Sequence, residues 1–480
     1  MIFTELRFVL FFLVVLAVHW ALRSHGARKN WLLVTSYVFY GAWDWRFLFL
    51  MAGSTALDYF CGLWLGSTDD PRRRRFAMAL SLVGNLGSLA LFKYYDFFVE
   101  SAASLLRSIG FEADTHTLGL VLPAGISFYT FQTLSYTIDV YRRELPVARN
   151  FRDFALFVSF FPQLVAGPIV RASDFLPQLD QQSRLADARF RALLFLFLAG
   201  FVKKACIADN LAAAIDPVFA DPGAHSPSTL WLAAAGYYTQ IYCDFSGYSD
   251  MAIATAGMLG YRLPINFAFP MLATSITTAW RRWHISLSTW FRDYLYIPLG
   301  GNRGSKAFVV RNTMIIFVVS GFWHGANWTF VAWGALNALF FLPLVLRNTH
   351  RSMTGTVAEG RMLPSLREVG MMAVTFALTC FAWIFFRARS MGEAFAVIER
   401  ILSGSLFSMP ELVAPRILAY SALGVGVTVV LEWINRERQH GLQMDGRGAR
   451  PLRYALYYGL IAIIIVCAPL GGGEFIYFQF

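Results

Sequence analysis

The chain has 480 residues, 57% of them hydrophobic and 15% charged, with a formal net charge of +11 and a mean hydropathy of +0.50. A soluble domain carries about 25% charged residues, so this composition excludes one soluble core under a polar surface. Long apolar runs alternate with short charged loops, the pattern of a polytopic helical membrane protein.

In chain order, the predicted membrane segments are roughly 6–22, 31–43, 47–66, 76–92, 118–138, 153–169, 190–220, 229–260, 308–346, 369–386, 413–433 and 454–470. The first reads as a retained span, because its basic residues follow the apolar run and no small-residue cleavage site appears. A crossing takes about 20 helical residues, so 229–260 and 308–346 are too long for one untilted crossing. Lys203 and Lys204 interrupt 190–220. Segment 153–169 holds Pro162, Gly167 and Pro168 and is expected to dip into the membrane and return. The total is about 11–13 spans plus re-entrant or interfacial helices. No internal repeat or long linker is evident, so one all-α membrane domain over residues 1–480 is expected.

Positive charge gathers in loops: Arg23, Arg28 and Lys29; Arg72 to Arg75; Arg142, Arg143, Arg149 and Arg152; and Arg436 to Arg453. This placement argues against nucleic acid as the partner. Such loops stay cytoplasmic against anionic lipid, which puts loops 23–30, 67–75 and 434–453 inside and the N-terminus in the periplasm. The loop after Phe92, with Asp96, Glu100, Glu112 and Asp114, reads as external. Between Tyr261 and Arg311, Trp280, Trp283, Trp290 and Tyr294 mix with Arg281, Arg282, Arg292 and Arg303. Aromatic and basic residues together favour the interface, so short cytoplasmic helices are expected there, ending in the turn Gly300 to Gly304.

The five cysteines are scattered, with no CxxC and no metal-ligand spacing. There is no GxxxxGK[ST] loop, no HExxH and no GxSxG elbow. Eight histidines remain as acid–base candidates. His324 lies in Ser320 to Trp328 (SGFWHGANW), in the middle of the block 308–346. An ionisable group at such depth usually faces a cavity or an interior partner, and Gly321 and Gly325 permit a broken helix. If 308–322 and 327–346 are antiparallel arms of about 22–30 Å, His324 lies across the bilayer from the basic ends. If the helix breaks mid-span, it lies near the midplane. A neutral histidine bonded to a backbone carbonyl is the alternative to a functional one.

His284, in Trp280 to Ser288 (WRRWHISLS), has the company of an interfacial structural histidine. That cationic setting suggests that its removal weakens donor engagement more than the chemical step. His19, His25, His116, His225, His350 and His440 sit at span ends or in loops and read as ordinary. The Gly300–Gly304 turn, beside Arg303 and Lys306, offers backbone N–H groups for a phosphate, or is a plain turn. Asp244 and Asp250 lie inside an apolar block and either bond unwound backbone, hold a proton or orient a histidine.

Several longer motifs stand in order along the chain. They are Leu122 to Gln132 (LPAGISFYTFQ), Phe160 to Pro168 (FFPQLVAGP), Gln240 to Asp250 (QIYCDFSGYSD), Arg281 to Ser286 (RRWHIS), Arg292 to Arg303 (RDYLYIPLGGNR), Trp323 to Gly325 (WHG) and Phe475 to Phe480 (FIYFQF). With them the chain resembles, almost end to end, the membrane-bound O-acyltransferase (MBOAT) family, in its bacterial alginate O-acetyltransferase-like branch. One departure is Asn337, where many relatives carry a histidine after Trp-Gly.

The resemblance implies a ring of tilted helices around a central catalytic tunnel in the bacterial inner membrane. It implies transfer of an acetyl group from a cytoplasmic thioester, acetyl-CoA in the first place, to hydroxyls of an exported or envelope polysaccharide. Alginate is the first choice of acceptor, with peptidoglycan or cellulose next, reached directly or through a periplasmic SGNH-type acetyltransferase. The family's invariant histidine maps onto His324 and its second onto His284. Trp323, Asn327, Asp244, Arg281, Arg282, Asp293, Asn302 and Arg303 form the supporting, tunnel-lining set. No bound cofactor or metal is expected. The rival readings are a polysaccharide or lipid transporter, which would need paired intramembrane charges or repeated halves, and a non-catalytic membrane scaffold.

Overall fold

The computed structural model describes residues 1–112, 114–187, 189–349, 355–404, 406–411, 413–438 and 450–469. The terminal motif Phe475 to Phe480, His350, His440 and most of the basic loop 434–453 lie outside the described residues. Among the described residues the chain is helical throughout. Among those residues, six helices are long and apolar enough to cross a membrane: Phe47–Ser67, the continuous Pro71–Ser108, Lys306–His324, Trp328–Leu346, Leu366–Arg387 and Pro415–Ile434. Leu6–Ala21 and Tyr454–Cys467 are shorter apolar helices. The protein is a multi-pass helical membrane protein. It divides into two compact units, one of residues 1–188 with 256–263 and one of 189–255 with 264–480.

In the first unit, Pro71 supplies the first helical position and the Asp70 side chain accepts the Arg72 N–H at 2.9 Å, so the helix starts there. The expected span 118–138 begins instead at Ile126. Gly125 is the reason: it adopts φ 72°, and a Cβ there would meet the Leu164 carbonyl oxygen at 2.6 Å. Segment 153–169 is broken as expected, with Phe151–Ser159 ending at Phe160 and a short turn Phe161–Leu164 following around Pro162.

Polar side chains fasten these helices. Asp58, fully buried, accepts from Ser81 Oγ, from Thr137 Oγ1 at 3.0 Å and from Asn85 Nδ2 at 2.7 Å. Three helices are thereby tied at one carboxyl group, each polar atom meeting a partner as burial requires. Arg74, one of the loop arginines, is buried. Its guanidinium donates to the Leu65, Val140 and Tyr141 carbonyls, closing the C-terminal ends of two helices.

In the second unit, Pro227–Met258 is a single helix of 32 residues, about 48 Å at 1.5 Å per residue. The predicted long block 229–260 is therefore one helix and exceeds the roughly 30 Å of a hydrocarbon core. Lys203 and Lys204 fall in the π-helical segment Val202–Ala208. Lys204 Nζ lies 2.6 Å from Asp209 Oδ1 and 2.5 Å from Asp244 Oδ1. Lys203 Nζ lies 3.1 Å from Asp250 Oδ2 and 3.5 Å from Glu432 Oε1, which also accepts from Tyr242 Oη at 2.6 Å. The interruption in the apolar run is a buried ion network.

Candidate active site

The block 308–346 resolves into two arms, Lys306–His324 and Trp328–Leu346. The Ser305 side chain starts the first by accepting the Phe308 N–H. It stops because Gly325 turns extended, at φ −161° and ψ 150°, and Asn327 caps the second by accepting the Thr329 N–H at 3.0 Å. Lys306 Nζ donates to the Leu346 carbonyl at 3.3 Å, so the far ends meet and the arms are antiparallel. Gly321 and Gly334 let them pack backbone to backbone: a Cβ on Gly321 would stand 3.1 Å from the Gly334 Cα. His324 thus sits at the hairpin apex, 19 residues or about 28 Å of helix from the basic end. Of the two placements open from sequence, this is the antiparallel one.

His284 joins two short helices, Ile276–Arg282 and Ile285–Phe291. It adopts φ 42° and ψ 55°, a left-handed conformation that costs a side-chain-bearing residue about 1–3 kcal/mol and marks functional sites. Asn266 holds it there. The Asn266 carbonyl accepts the Ile285 N–H at 2.9 Å, and its Oδ1 accepts from His284 Nδ1 at 3.1 Å and from Ser286 Oγ at 2.9 Å. Asn266 Nδ2 in turn donates to Ser249 Oγ at 3.3 Å.

The two imidazoles lie with ring centroids 6.3 Å apart, His284 being 1% and His324 4% exposed. The interfacial, cationic surroundings expected for His284 are not what the structure has: its ring stands against Phe245 at 4.7 Å and Trp323 at 6.1 Å. Around His324 stand Trp323 at 5.0 Å, Trp333 at 5.3 Å and Phe386 at 5.4 Å. Trp280 packs on both Trp333 and Phe317. That aromatic series leads to a cavity of about 370 Å³ lined by Arg281, Arg292, Asn302, Phe317 and Phe341 among others. Phe317 precedes His324 by seven positions, about 10 Å of helix. A cavity lined by Arg281, by Arg292 paired with Asp293, and by apolar side chains suits an anion that carries an apolar arm.

The expected supporting residues divide. Trp323 joins the imidazoles, and Arg281 and Asn302 line the cavity. Asp244 is engaged by Lys204, and Asn327 spans from its cap to the Arg389 carbonyl at 2.9 Å. Arg282 reaches Thr356 Oγ1 and the Gly355 carbonyl at 3.5 Å, and Asp293 pairs with Arg292 at 2.6 Å. Arg303 is exposed. Of the two readings of the Gly300–Gly304 turn, its hydrogen bonds favour the plain turn. The N–H groups of Gly300, Gly301 and Arg303 are donated to Ile297, Tyr296 and Gly300 carbonyls within it. Asn266, Phe245, Trp333 and Phe386 were not singled out from sequence. For Asn266 one signal exists, a lone amide in the apolar stretch Leu263 to Phe269.

Comparisons with known proteins fall on this same region. The model of the family described as MBOAT, membrane-bound O-acyltransferase family, matches residues 142–383, a span that contains both histidines. The "Probable alginate O-acetylase AlgI" of Pseudomonas aeruginosa is 41% identical over 415 residues, 86% of this chain and 77% of that protein. The peptidoglycan O-acetyltransferase of Helicobacter pylori is 38% identical over 77% of this chain and 73% of its own length. A teichoic acid D-alanyltransferase of Streptococcus thermophilus is 28% identical over 54% of this chain and 64% of its own.

Proposed function

This chain belongs to the membrane-bound O-acyltransferase family, and on that premise we propose that it moves an acetyl group from cytoplasmic acetyl-CoA to hydroxyls of an exported or cell-envelope polysaccharide. The relatives named for alginate and peptidoglycan O-acetylation support a polysaccharide acceptor, alginate first. The observation that carries the reading is the buried His324 imidazole at the hairpin apex beside that of His284, with the arginine-lined cavity about 10 Å of helix towards the basic end.

In this reading the cavity seats the phosphates and arm of the donor, Arg281 and Arg292 supplying charge-assisted bonds. The acceptor hydroxyl oxygen attacks the thioester carbonyl while the His324 imidazole takes the hydroxyl proton. The tetrahedral adduct collapses, the C–S bond breaks, and the imidazolium returns the proton to the leaving thiolate. Such base catalysis contributes about 10²–10⁴ in rate. The aromatic walls around His324 exclude water that would otherwise hydrolyse the thioester.

The basic loops support an inner-membrane protein with its N-terminus and the apex side outside and the cavity side inside. From that side the acetyl group reaches polymer directly or through a periplasmic SGNH-type acetyltransferase. The test is thiol release from acetyl-CoA by purified protein with mannuronate oligomers, alone and with a periplasmic SGNH-type acetyltransferase added, the ester being detected by mass spectrometry. Acceptor-dependent thiol release with a new ester supports the reading. Thiol release that ignores every polysaccharide acceptor, or none at all, overturns it.

A further inference from the structure

A histidine that is to accept a proton at a fixed atom has to be held in one tautomer, because the neutral ring carries its hydrogen on either nitrogen. At His284 the choice follows from Asn266. The Asn266 Nδ2 donates to Ser249 Oγ, which turns its Oδ1 towards Ser286 and His284. An amide oxygen only accepts, so His284 Nδ1 carries the hydrogen and the lone pair is on Nε2. The same asparagine fixes the backbone: its carbonyl takes the Ile285 N–H at 2.9 Å, immediately after the left-handed residue. Side chain and main chain of one buried residue, 1% exposed, thus set both the tautomer and the direction of the ring. The elements packed on that ring contribute Phe245, Trp323 and, as the titratable group facing it, His324.

We infer that Asn266 is a positioning residue for acyl transfer, holding His284 as the Nδ1–H tautomer in a left-handed turn so that Nε2 is a proton acceptor in the chemical step. The inference rests on the acyltransferase reading above. It assigns His284 to the reaction beside His324 and not to the donor cavity. The logic is that of an orienting group behind an imidazole, where loss of the orienter leaves the ring in place in the wrong tautomer.

Replacement by Asp separates this role from a merely structural one. Asn266→Asp is isosteric and still accepts from His284 Nδ1 and Ser286, while Ser249 Oγ reverses to donate. The added charge favours the protonated imidazole. The rate of thiol release is measured against pH and acetyl-CoA concentration for wild type, Asn266→Asp, Asn266→Ala and His324→Ala. Asn266→Ala should lower kcat on the order of 10²-fold with KM for acetyl-CoA unchanged. Asn266→Asp should retain most of kcat and move the acidic limb of the kcat profile to higher pH. If Asn266→Asp loses as much kcat as Asn266→Ala with its limb unmoved, or both variants change only KM, the inference is overturned. Transfer that requires His324 yet ignores Asn266 overturns the inference alone. Transfer that survives His324→Ala, or wild type without transfer, overturns the reading beneath it as well.

Discussion

Two clusters of ionisable side chains are buried in the unit of residues 189–255 and 264–480. Lys203 and Lys204 meet four carboxyl groups, on Asp250, Glu432, Asp209 and Asp244. His284 and His324 meet an amide, each other and a wall of aromatic rings. A charge taken into an apolar interior is tolerated when a counter-charge and hydrogen bonds compensate it. A histidine needs no such partner because it can enter neutral, and it then keeps the capacity to take and return a proton. In one molecule the paired cluster fastens helices, while the histidine cluster keeps the capacity that the proposed transfer uses. Burial of a polar group alone does not distinguish these; its partners do.

That contrast has measurable consequences. Lys204→Met leaves Asp209 and Asp244 buried without their cation and should cost about 3–5 kcal/mol, read as a fall in Tm in detergent, with transfer per folded molecule retained. An unchanged Tm with lost turnover would place the ion network in the reaction. Arg281→Ala removes a charged contact worth about 1.5–3 kcal/mol. It should raise KM for acetyl-CoA about 10–100-fold at constant kcat; a kcat effect at constant KM would take the cavity out of the donor's path.

Asp58→Asn, in the other unit, keeps a polar group among Ser81, Asn85 and Thr137 and should cost only about 1 kcal/mol with normal transfer. Loss of activity there would mean that a carboxyl held by neutral donors also serves the chemistry. Smallest of all is the expected signal from single cysteines at the exposed Ser24 and Ser67 in intact cells. An impermeant thiol reagent should leave both unlabelled, and labelling of either would reverse the orientation assigned to the cavity.

Class and family were legible because their signals are local, and the break at His324 was legible though not which of two placements it gives. Hydropathy runs reveal spans, and Gly321 and Gly325 beside His324 permit a break, whereas the Asn327 cap that starts the second arm emerged only in the structure. What was not legible depends on residues distant in sequence. Lys203 read as an interruption because Asp250, its partner, is 47 positions away. His284 read as interfacial because Arg281, Arg282 and Trp283 adjoin it, whereas its ring is set by Asn266, 18 positions earlier, and by Phe245 on another helix. Asp58 had no local mark, since its donors come from two other helices. The start at Ile126 turned on the close approach of Leu164 to Gly125, which hydropathy does not register.

The central claim is that the imidazole at the hairpin apex performs the transfer and does not hold the fold. His324→Ala, purified beside wild type, tests it in one comparison of Tm and of acetyl-CoA-dependent ester formation. The account predicts a Tm close to wild type and transfer lowered by about 10²–10⁴-fold, the contribution of a general base. A variant that melts early but acetylates at the wild-type rate per folded molecule would contradict it.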